Sequence, residues 1–322
     1  MTALLRRFAS LFGMIAIIGF FWFNLSDTFM TARNWLNISQ QISMLTVVAA
    51  TMTVVMVMGD FDLSVGTLAS LCGIVAAVLF VADWSVPSAL AVALATGLIG
   101  GLLNGFLVSV IGILPFVATL AMLTVYSALA HLLSDGRTIF GRDIPESFGN
   151  FARGGVQIGM QDERALIFPA LSLLALFVVA ICWLVLEQTS FGRRLYAIGG
   201  NSTAARLAGV RVTGLRWLAF GFTGLGAAIA GLMYAARVAS ANPIQGDGLM
   251  LTAIAAVFLG MTLTESGQPR VLATLAGVVM LGVLDNGLTQ MQVDSYVREL
   301  AIGVIILVAV SISALGRRDW RR

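Results

Sequence analysis

The sequence predicts an all-α membrane protein with about ten transmembrane helices and two broken segments in a weak internal repeat. Apolar residues make up 59% of the 322 residues, and charged residues only 11%. A soluble domain carries about 25% charged residues, so this chain lacks the polar surface that water requires. Apolar runs long enough to cross a bilayer recur along the whole chain. We therefore expect one membrane domain, 1–322, and not several soluble ones.

Ten apolar runs are candidate spans, because a spanning helix needs about 20 predominantly apolar residues. They are 8–23, 41–58, 64–82, 88–111, 113–133, 165–186, 216–236, 249–263, 270–290 and 298–315. The first run follows Arg6-Arg7, as in a signal peptide, but no small-residue cleavage site follows it, so it is interpreted as a span. Breaks at 59–66 and 243–248 interrupt the pattern. Such breaks are tolerated in a membrane only where the backbone is buried in protein or lines a cavity.

The placement of arginine predicts the orientation, because cytoplasmic loops are enriched in basic residues. With the N-terminus inside, ten crossings place twelve of the 19 Arg on the inside and seven on the outside. Loop 187–216 holds five Arg against the single Glu187, whereas the Arg of loop 134–164 are mixed with acids. Both termini and loop 187–216 are therefore expected to be cytoplasmic.

A weak internal repeat relates a first half, about 1–133, to a second half, about 216–322, across a periplasmic loop at 134–164 and a cytoplasmic loop at 187–215. The stretch Gly101-Leu-Leu-Asn104-Gly105 recurs as Gly282-Val-Leu-Asp-Asn286-Gly287, and Gly59-Asp60 has its counterpart in Gly246-Asp247. Broken segments at corresponding positions of two halves point to the binding site of a transporter. Asn104 and Asn286 are thus candidate path residues. The alternative is chance similarity between Gly-rich membrane helices.

The sequence does not support ATP hydrolysis, a metal site or reactive thiols. All 19 basic residues are Arg, so the Lys of a Walker A loop is missing and this chain cannot hydrolyse ATP by that route. The single histidine, His131, has no Cys or carboxylate cluster near it in the sequence, so no metal site is expected. Cys72 and Cys182 lie within apolar runs and are expected to be inert packing thiols.

Two acids stand between apolar runs in the stretch Gly59-Asp60-Phe-Asp62-Leu-Ser64. Acids at such positions are costly unless they are paired, solvated or at a helix end. Asp62 is a candidate N-cap for the helix that follows. One interpretation is a short cytoplasmic turn with a cap. The other is a broken helix in which Asp60, Asp62 and Ser64 border a translocation path.

The cytoplasmic loop is predicted to contain a short helix. Asn201 is a candidate N-cap, Ala204 to Ala208 are good helix formers, and Gly209 suits the position after the helix end. Ala205 and Gly209 lie four residues apart, so we expect them on one face, where small residues permit close approach. With Leu207 and the small alanines on one side and Arg206 on another, the helix suits docking into a protein groove. The alternative is a surface helix lying on lipid head groups.

These segments together resemble the ribose/arabinose/xylose-type permeases of ABC sugar importers. Gly-Asp-Phe-Asp-Leu-Ser-Val-Gly at 59–66 is similar to the family's GGIDLSVG signature, and Pro-Phe-Val-Ala-Thr-Leu at 115–120 to its PxFIxTL. The resemblance is strongest at 189–201, Thr-Ser-Phe-Gly-Arg-Arg-Leu-Tyr-Ala-Ile-Gly-Gly-Asn, and at 204–210, Ala-Ala-Arg-Leu-Ala-Gly-Val. It covers nearly the whole chain, and it is somewhat closer to arabinose permeases than to ribose ones. One stretch departs, because 260–269 lacks three glycines of the family's GGTSLxGGxG and gains Pro269.

The resemblance implies a multi-pass permease of the bacterial inner membrane that imports a monosaccharide, a pentose such as arabinose, ribose or xylose. It implies no covalent chemistry and no cofactor. The implied partners are a second permease copy, an ABC ATPase subunit docked on the loop helix through Asn201, Ala204, Ala205, Arg206, Leu207 and Gly209, and a periplasmic sugar-binding protein. A secondary transporter driven by an ion gradient is the main alternative, although no relay of buried acids and histidines is visible. A permease of the same superfamily for a nucleoside, an autoinducer or a branched-chain amino acid is another.

Overall fold

A computed structural model describes residues 3–161, 164–264, 266–304 and 307. Helices dominate these residues. They are α1 (Ala3–Asn24), α2 (Ala32–Gln41), α3 (Ser43–Met56), α4 (Val65–Val81), α5 (Val86–Phe106), α6 (Pro115–Ser134), α7 (Glu146–Arg153), α8 (Ala170–Trp183), α9 (Ser190–Gly200), α10 (Ser202–Leu207), α11 (Val212–Val238), α12 (Leu249–Met261), α13 (Val271–Gln290) and α14 (295–304). π-Helical segments continue α5 over Leu107–Ile111 and α8 over Leu184–Gln188.

Five of the described helices are long and apolar enough to cross a membrane: α5 and α8 with their continuations, α6, α11 and α13. Helices α2 and α3 meet at 50° and form a sixth span if they are one broken helix. α4, α12 and the Phe12–Asn24 part of α1 are apolar but shorter. Every predicted run contains described helix, although 305–306 and 308–315 of the last run lie outside the described residues. The count of ten crossings stays a prediction.

The segment after α6 contains strands that an all-α fold does not include. Strand β1 (Ile139–Phe140) pairs antiparallel with β4 (Ser240–Ala241), which directly follows α11. Strands β2 (Gly155–Gln161) and β3 (Arg164–Pro169) form an antiparallel hairpin whose pairs run from Gly155↔Pro169 to Gln161↔Arg164. The run predicted to begin at 165 therefore starts as a strand, and its helix begins at Ala170.

Helix α11 is the most buried of the five long apolar helices, and it packs against α3, α4 and α5. Its contacts rely on small residues. A side chain at Gly224 would overlap the backbone of Gly97 and Gly101, and one at Gly231 would overlap the backbone of Ala69. In a membrane, where apolar surface gains nothing from leaving water, close packing of this kind is what holds helices together. α11 is thus the central helix of the bundle.

Candidate functional site

The two predicted breaks in the helical pattern lie against each other. α3 ends at Met56 and α4 begins at Val65, while α11 ends at Val238 and α12 begins at Leu249. The Gly246 amide donates a hydrogen bond to Ser70 Oγ at 2.8 Å, and a side chain at Gly66 would overlap the Gly246 carbonyl oxygen. The starts of α4 and α12 therefore meet inside the protein, which is the arrangement expected of paired broken helices in a transporter.

The turn between α3 and α4, residues 57–64, is largely buried although it contains two acids. Gly59 ends the preceding helical turn with φ +82°, a conformation that only glycine adopts without strain. Asp60 and Asp62 follow with 4% and 0% of their surfaces exposed. A solvated surface turn does not bury two carboxylates, so these acids need partners inside the protein.

Asp62 is held by a closed polar network. Its Oδ1 accepts hydrogen bonds from the Ser64 amide at 3.0 Å and from Ser64 Oγ at 2.7 Å. Asn104 Nδ2 donates to both Asp62 oxygens at 3.2 and 3.3 Å and to Ser64 Oγ at 2.7 Å. Tyr126 completes the network by donating to Asn104 Oδ1 at 3.2 Å and to the Gly100 carbonyl at 2.8 Å. The structure therefore brings Asp62, Ser64 and Asn104 together and adds Tyr126.

The predicted capping role of Asp62 is wrong in its details. Ser64, not Asp62, occupies the N-cap position of α4, and no side-chain cap bond is made there. Asp62 instead accepts from the Ser64 amide, a short-range bond that holds the chain in a turn just before the helix. Its carboxylate thus orders the entry to α4 while also binding Asn104 of α5.

Asp60 forms an ion pair that the sequence pattern does not reveal. Arg216, in the first turns of α11, places Nε 2.6 Å from Asp60 Oδ2, and its Nη2 donates to Oδ1 at 3.1 Å. The two partners are 156 residues apart. A buried carboxylate needs such a partner, and here one hydrogen bond and one close charge contact supply it. The pair ties the start of α11 to the turn 57–64.

Asn286 does not join this network. Its Oδ1 accepts from Gln290 Nε2 at 2.8 Å, and the same Nε2 donates to Asn34 Oδ1 at 2.9 Å. Asn34 lies at the start of α2, whereas the turn 57–64 follows the far end of α3. The two asparagines of the repeat therefore lie at opposite ends of the bent α2–α3 pair and do not form one site.

The predicted loop helix is present as α10, with the predicted ends. Asn201 Oδ1 accepts from the Ala204 amide at 3.0 Å, and Gly209 has φ +82° just beyond the helix. The side-chain directions differ from the expectation in one respect. Ala205 is only 6% exposed and faces the protein, whereas Leu207 is 86% exposed. Leu207 is thus the large apolar residue among those that α10 exposes, and a large residue at Ala205 would disturb the packing of the chain itself.

Helix α9, which precedes α10, is fastened to the rest of the molecule at several points. A side chain at Gly199 would overlap the Val57 carbonyl oxygen of the turn, so α9 lies directly on it. Tyr196 donates its hydroxyl proton to the Pro269 carbonyl at 2.9 Å. Burial, with a further contribution from Glu187, raises the pKa of Tyr196 to about 12, so the hydroxyl stays a donor at neutral pH. α9 is therefore packed against the turn, and α10 follows it directly in the chain.

The part of the chain that the structure describes contains no group of three or more His, Cys, Asp or Glu side chains that could hold a metal ion. Cys72 and Cys182 are buried free thiols, and His131 Nδ1 lies 2.8 Å from the carbonyl of Ser127 on its own helix. The polar centre of the molecule is thus the Asp62 network together with the Asp60–Arg216 pair.

Comparison with known proteins gives consistent results. Residues 34–310 match the family model described as branched-chain amino acid transport system / permease component. The ribose import permease protein RbsC of Bacillus subtilis is 35% identical over 309 residues, covering 95% of this chain and 91% of that protein. The xylose transport system permease protein XylH of Escherichia coli K12 is 29% identical over 365 residues, covering 98% and 93%.

A solved structure supports the fold independently of sequence. An ABC transporter chain in an inward-facing conformation, of the metal-chelate type, aligns with a TM-score of 0.50 at 15% identity. The alignment covers 98% of this chain and all of the other. At that identity the likeness concerns the fold alone.

Proposed function

Since the chain belongs to the family of branched-chain amino acid transport system permease components, we propose that it is the membrane subunit of an ABC importer that carries a monosaccharide. The ribose and xylose permeases among its relatives support a sugar over an amino acid. A pentose is the proposed substrate class. The specific likeness to arabinose permeases stays a prediction, because the relatives described above carry the names of ribose and xylose.

The proposed topology has ten crossings with both termini in the cytoplasm. It places α9 and α10 on the cytoplasmic side and the β2–β3 hairpin on the periplasmic side. The Arg excess of loop 187–216 supports this orientation. The candidate span formed by α8 and its continuation lies between 134–164 and 187–216, and a crossing there would put these two segments on opposite faces.

The observation that carries the proposal is the exposed Leu207 on the helix that directly follows α9, which packs on the buried turn. An apolar side chain that is 86% exposed, on a short capped helix outside the spans, suits insertion into a partner's groove. The chain lacks Lys and hence a Walker A loop, so ATP hydrolysis is assigned to a separate ATPase subunit docked there. Force would then enter the permease at α10.

From α10 two connections lead to the turn 57–64. One runs back through α9, whose Gly199 lies on Val57. The other runs forward into α11, whose Arg216 holds Asp60. We propose that docking-driven movement of α9–α11 shifts this turn and, with it, the Asp62 network and the start of α4. The path for a neutral sugar would pass beside this region and between two permease copies, lined by hydroxyls and amides.

Reconstitution tests the proposal directly. The permease, its ATPase subunit and a pentose-binding protein are placed in proteoliposomes, and uptake of labelled pentose is measured with and without ATP. We expect uptake only with all three components and ATP. Uptake by the permease alone, driven by a cation gradient, would establish a secondary transporter instead.

The docking role of α10 has its own test. Leu207→Asp should abolish co-purification with the ATPase subunit, because it replaces an exposed apolar anchor with a charge. The matched control is Phe140→Asp in β1, where an apolar side chain that is 66% exposed lies outside the candidate spans, in loop 134–164 on the proposed opposite face. Retention of the ATPase by Leu207→Asp at the level of the control would exclude this helix as the docking site.

A further inference from the structure

A cleft of about 200 Å³ opens at the other end of the molecule from α10, beside the β2–β3 hairpin. Its walls come from one side of α2 along its length, the end of α7 and strand β3. They are formed by Arg33, Leu36, Asn37, Gln40, Arg153, Gly154, Ala165, Leu166, Ile167 and Pro169. Two of these are arginines on different elements, Arg33 on α2 and Arg153 on α7.

The cleft is held by bonds between its walls. Gln40 Nε2 donates to the Ala152 carbonyl at 3.3 Å and so joins α2 to α7. The hydroxyls of Ser39 and Ser172 lie 2.9 Å apart and join α2 to α8. The Ala170 amide donates to the Gly154 carbonyl at 3.0 Å, which closes the base of the hairpin. The cleft is thus a preformed feature of the fold and needs no rearrangement to exist.

The charge of the cleft is not neutralised by its own walls. Arg153 Nη2 donates to Asn150 Oδ1 at 3.2 Å, which leaves most of its donors free. Within the described residues, the ion pairs are Arg216–Asp60 and Arg298–Asp285, and neither cleft arginine takes part in them. Asn37 adds an amide donor to the same walls, and Gln40 Nε2 keeps one N–H beyond its bond to Ala152. Two guanidinium groups with amides beside them match the geometry of a carboxylate.

We propose that this cleft receives an acidic side chain of the sugar-binding protein when that protein docks. The inference rests on the proposed function and on its orientation, which places the cleft on the periplasmic side. It names the contact by which the permease holds its sugar-delivering partner: one or two Asp or Glu side chains inserted between Arg33 and Arg153.

The surroundings favour a protein partner over a lipid head group. Helix α2, which forms one wall, is polar along most of its length, Ala-Arg-Asn-Trp-Leu-Asn-Ile-Ser-Gln-Gln. Beside the cleft the hairpin exposes Val156, Ile158 and Met160 at alternate positions of β2. Arginine anchors next to exposed aliphatic and methionine side chains are typical of protein interfaces. The charges would steer and orient the partner, and the hairpin would supply apolar contact.

The test uses the sugar-binding protein that stimulates ATP hydrolysis by the reconstituted complex. It measures the Kd of that protein for the permease. Arg33→Glu and Arg153→Glu are compared with wild type and with Arg142→Glu, an exposed arginine outside the cleft, in nanodiscs of phosphatidylcholine. We expect each cleft variant to weaken the Kd about 10-fold or more, and the control to change it less than about 2-fold. Co-purification of each variant with the ATPase subunit reports that it is folded.

Three outcomes would overturn the inference or its basis. Unchanged binding of both cleft variants, with wild type binding normally, would refute the cleft as the docking contact and leave the proposed function intact. A loss that occurs only in nanodiscs containing phosphatidylglycerol would assign the cleft to lipid phosphate and overturn the proposal. If wild type binds no sugar-binding protein at all, the proposed function itself fails.

Discussion

Removal of Arg216 should uncouple ATP hydrolysis from transport and destabilise the chain. Loss of one partner from a buried ion pair leaves an unpaired charge, which costs about 3–5 kcal/mol. The Asp60 side chain is 5% exposed but that of Arg216 is 25% exposed, so water screens part of the loss. For Arg216→Gln we therefore expect the free energy of unfolding to fall by about 2–3 kcal/mol.

A double-mutant cycle separates the stability of the pair from its role in coupling. Asp60→Asn, Arg216→Gln and the double variant are unfolded in mixed micelles, and pentose uptake per ATP hydrolysed is measured in proteoliposomes. The double variant should recover much of the stability, because neither charge is left unpaired. Uptake per ATP should stay low in all three variants, because the link between α11 and the turn is missing in each.

The chain supplies a matched control in the pair Arg298–Asp285, with 2.9 Å between Nη1 and Oδ1. Its acid is 47% exposed, so Arg298→Gln should cost no more than about 1 kcal/mol. Equal destabilisation by Arg298→Gln and Arg216→Gln would refute the burial argument. Full recovery of uptake per ATP in the double variant would refute the mechanical role of the Asp60–Arg216 pair.

Three further predictions follow from the topology and the buried turn. A cysteine at Ser202 should react with an impermeant reagent only from the cytoplasmic side and one at Asn150 only from the periplasmic side; labelling of both from one side would contradict ten crossings. Asp62→Asn should retain part of the uptake, because its side-chain oxygen still accepts from Ser64 although its amide nitrogen would face the Asn104 donor. Asp62→Leu should abolish uptake at equal membrane levels. Equal loss in both variants would contradict the role of the network. Gly66→Val should prevent correct packing of the helix bundle, because the valine side chain would overlap the Gly246 carbonyl oxygen. Gel filtration measures whether the variant still forms a discrete folded species.

The sequence was informative wherever the cause of a structure is local. Apolar length predicts the helices, a polar interruption predicts the breaks, and Asn201 and Gly209 mark the two ends of α10. In the stretch 260–269, which departs from the family pattern, local backbone conformation or close packing also explains why two glycines are kept. Gly260 packs so closely on Ala273 that a side chain would overlap its backbone, and Gly267 has φ +62°. The stretch thus keeps glycine at two positions where the backbone requires it.

Contacts between distant residues could not be predicted in this way. In the sequence, Arg216 is one of several arginines of the predicted cytoplasmic loop, and nothing near it indicates a partner 156 residues away. The exposure of Leu207 and the burial of Ala205 depend on which face α9 and α11 cover, and a six-residue helix has too little periodicity to show it. The alternation of Val156, Ile158 and Met160 was a usable signal for β2, but the composition of the loop obscured it.

The packing indicates where the protein can move and where it cannot. Contacts between α11 and α5 are made backbone to backbone through Gly224, Gly97 and Gly101, so a displacement of either helix must carry the other. The contact between the two breaks is less extensive. It includes the Ser70–Gly246 hydrogen bond, one glycine-to-glycine approach and the packing of Phe61 on Phe258 of α12. A force that enters at α10 and passes along the chain into α11 would therefore move α11 and α5 as one body. The place where the chain would yield is the contact between the breaks, beside the Asp62 network, and that is where we expect the path to open.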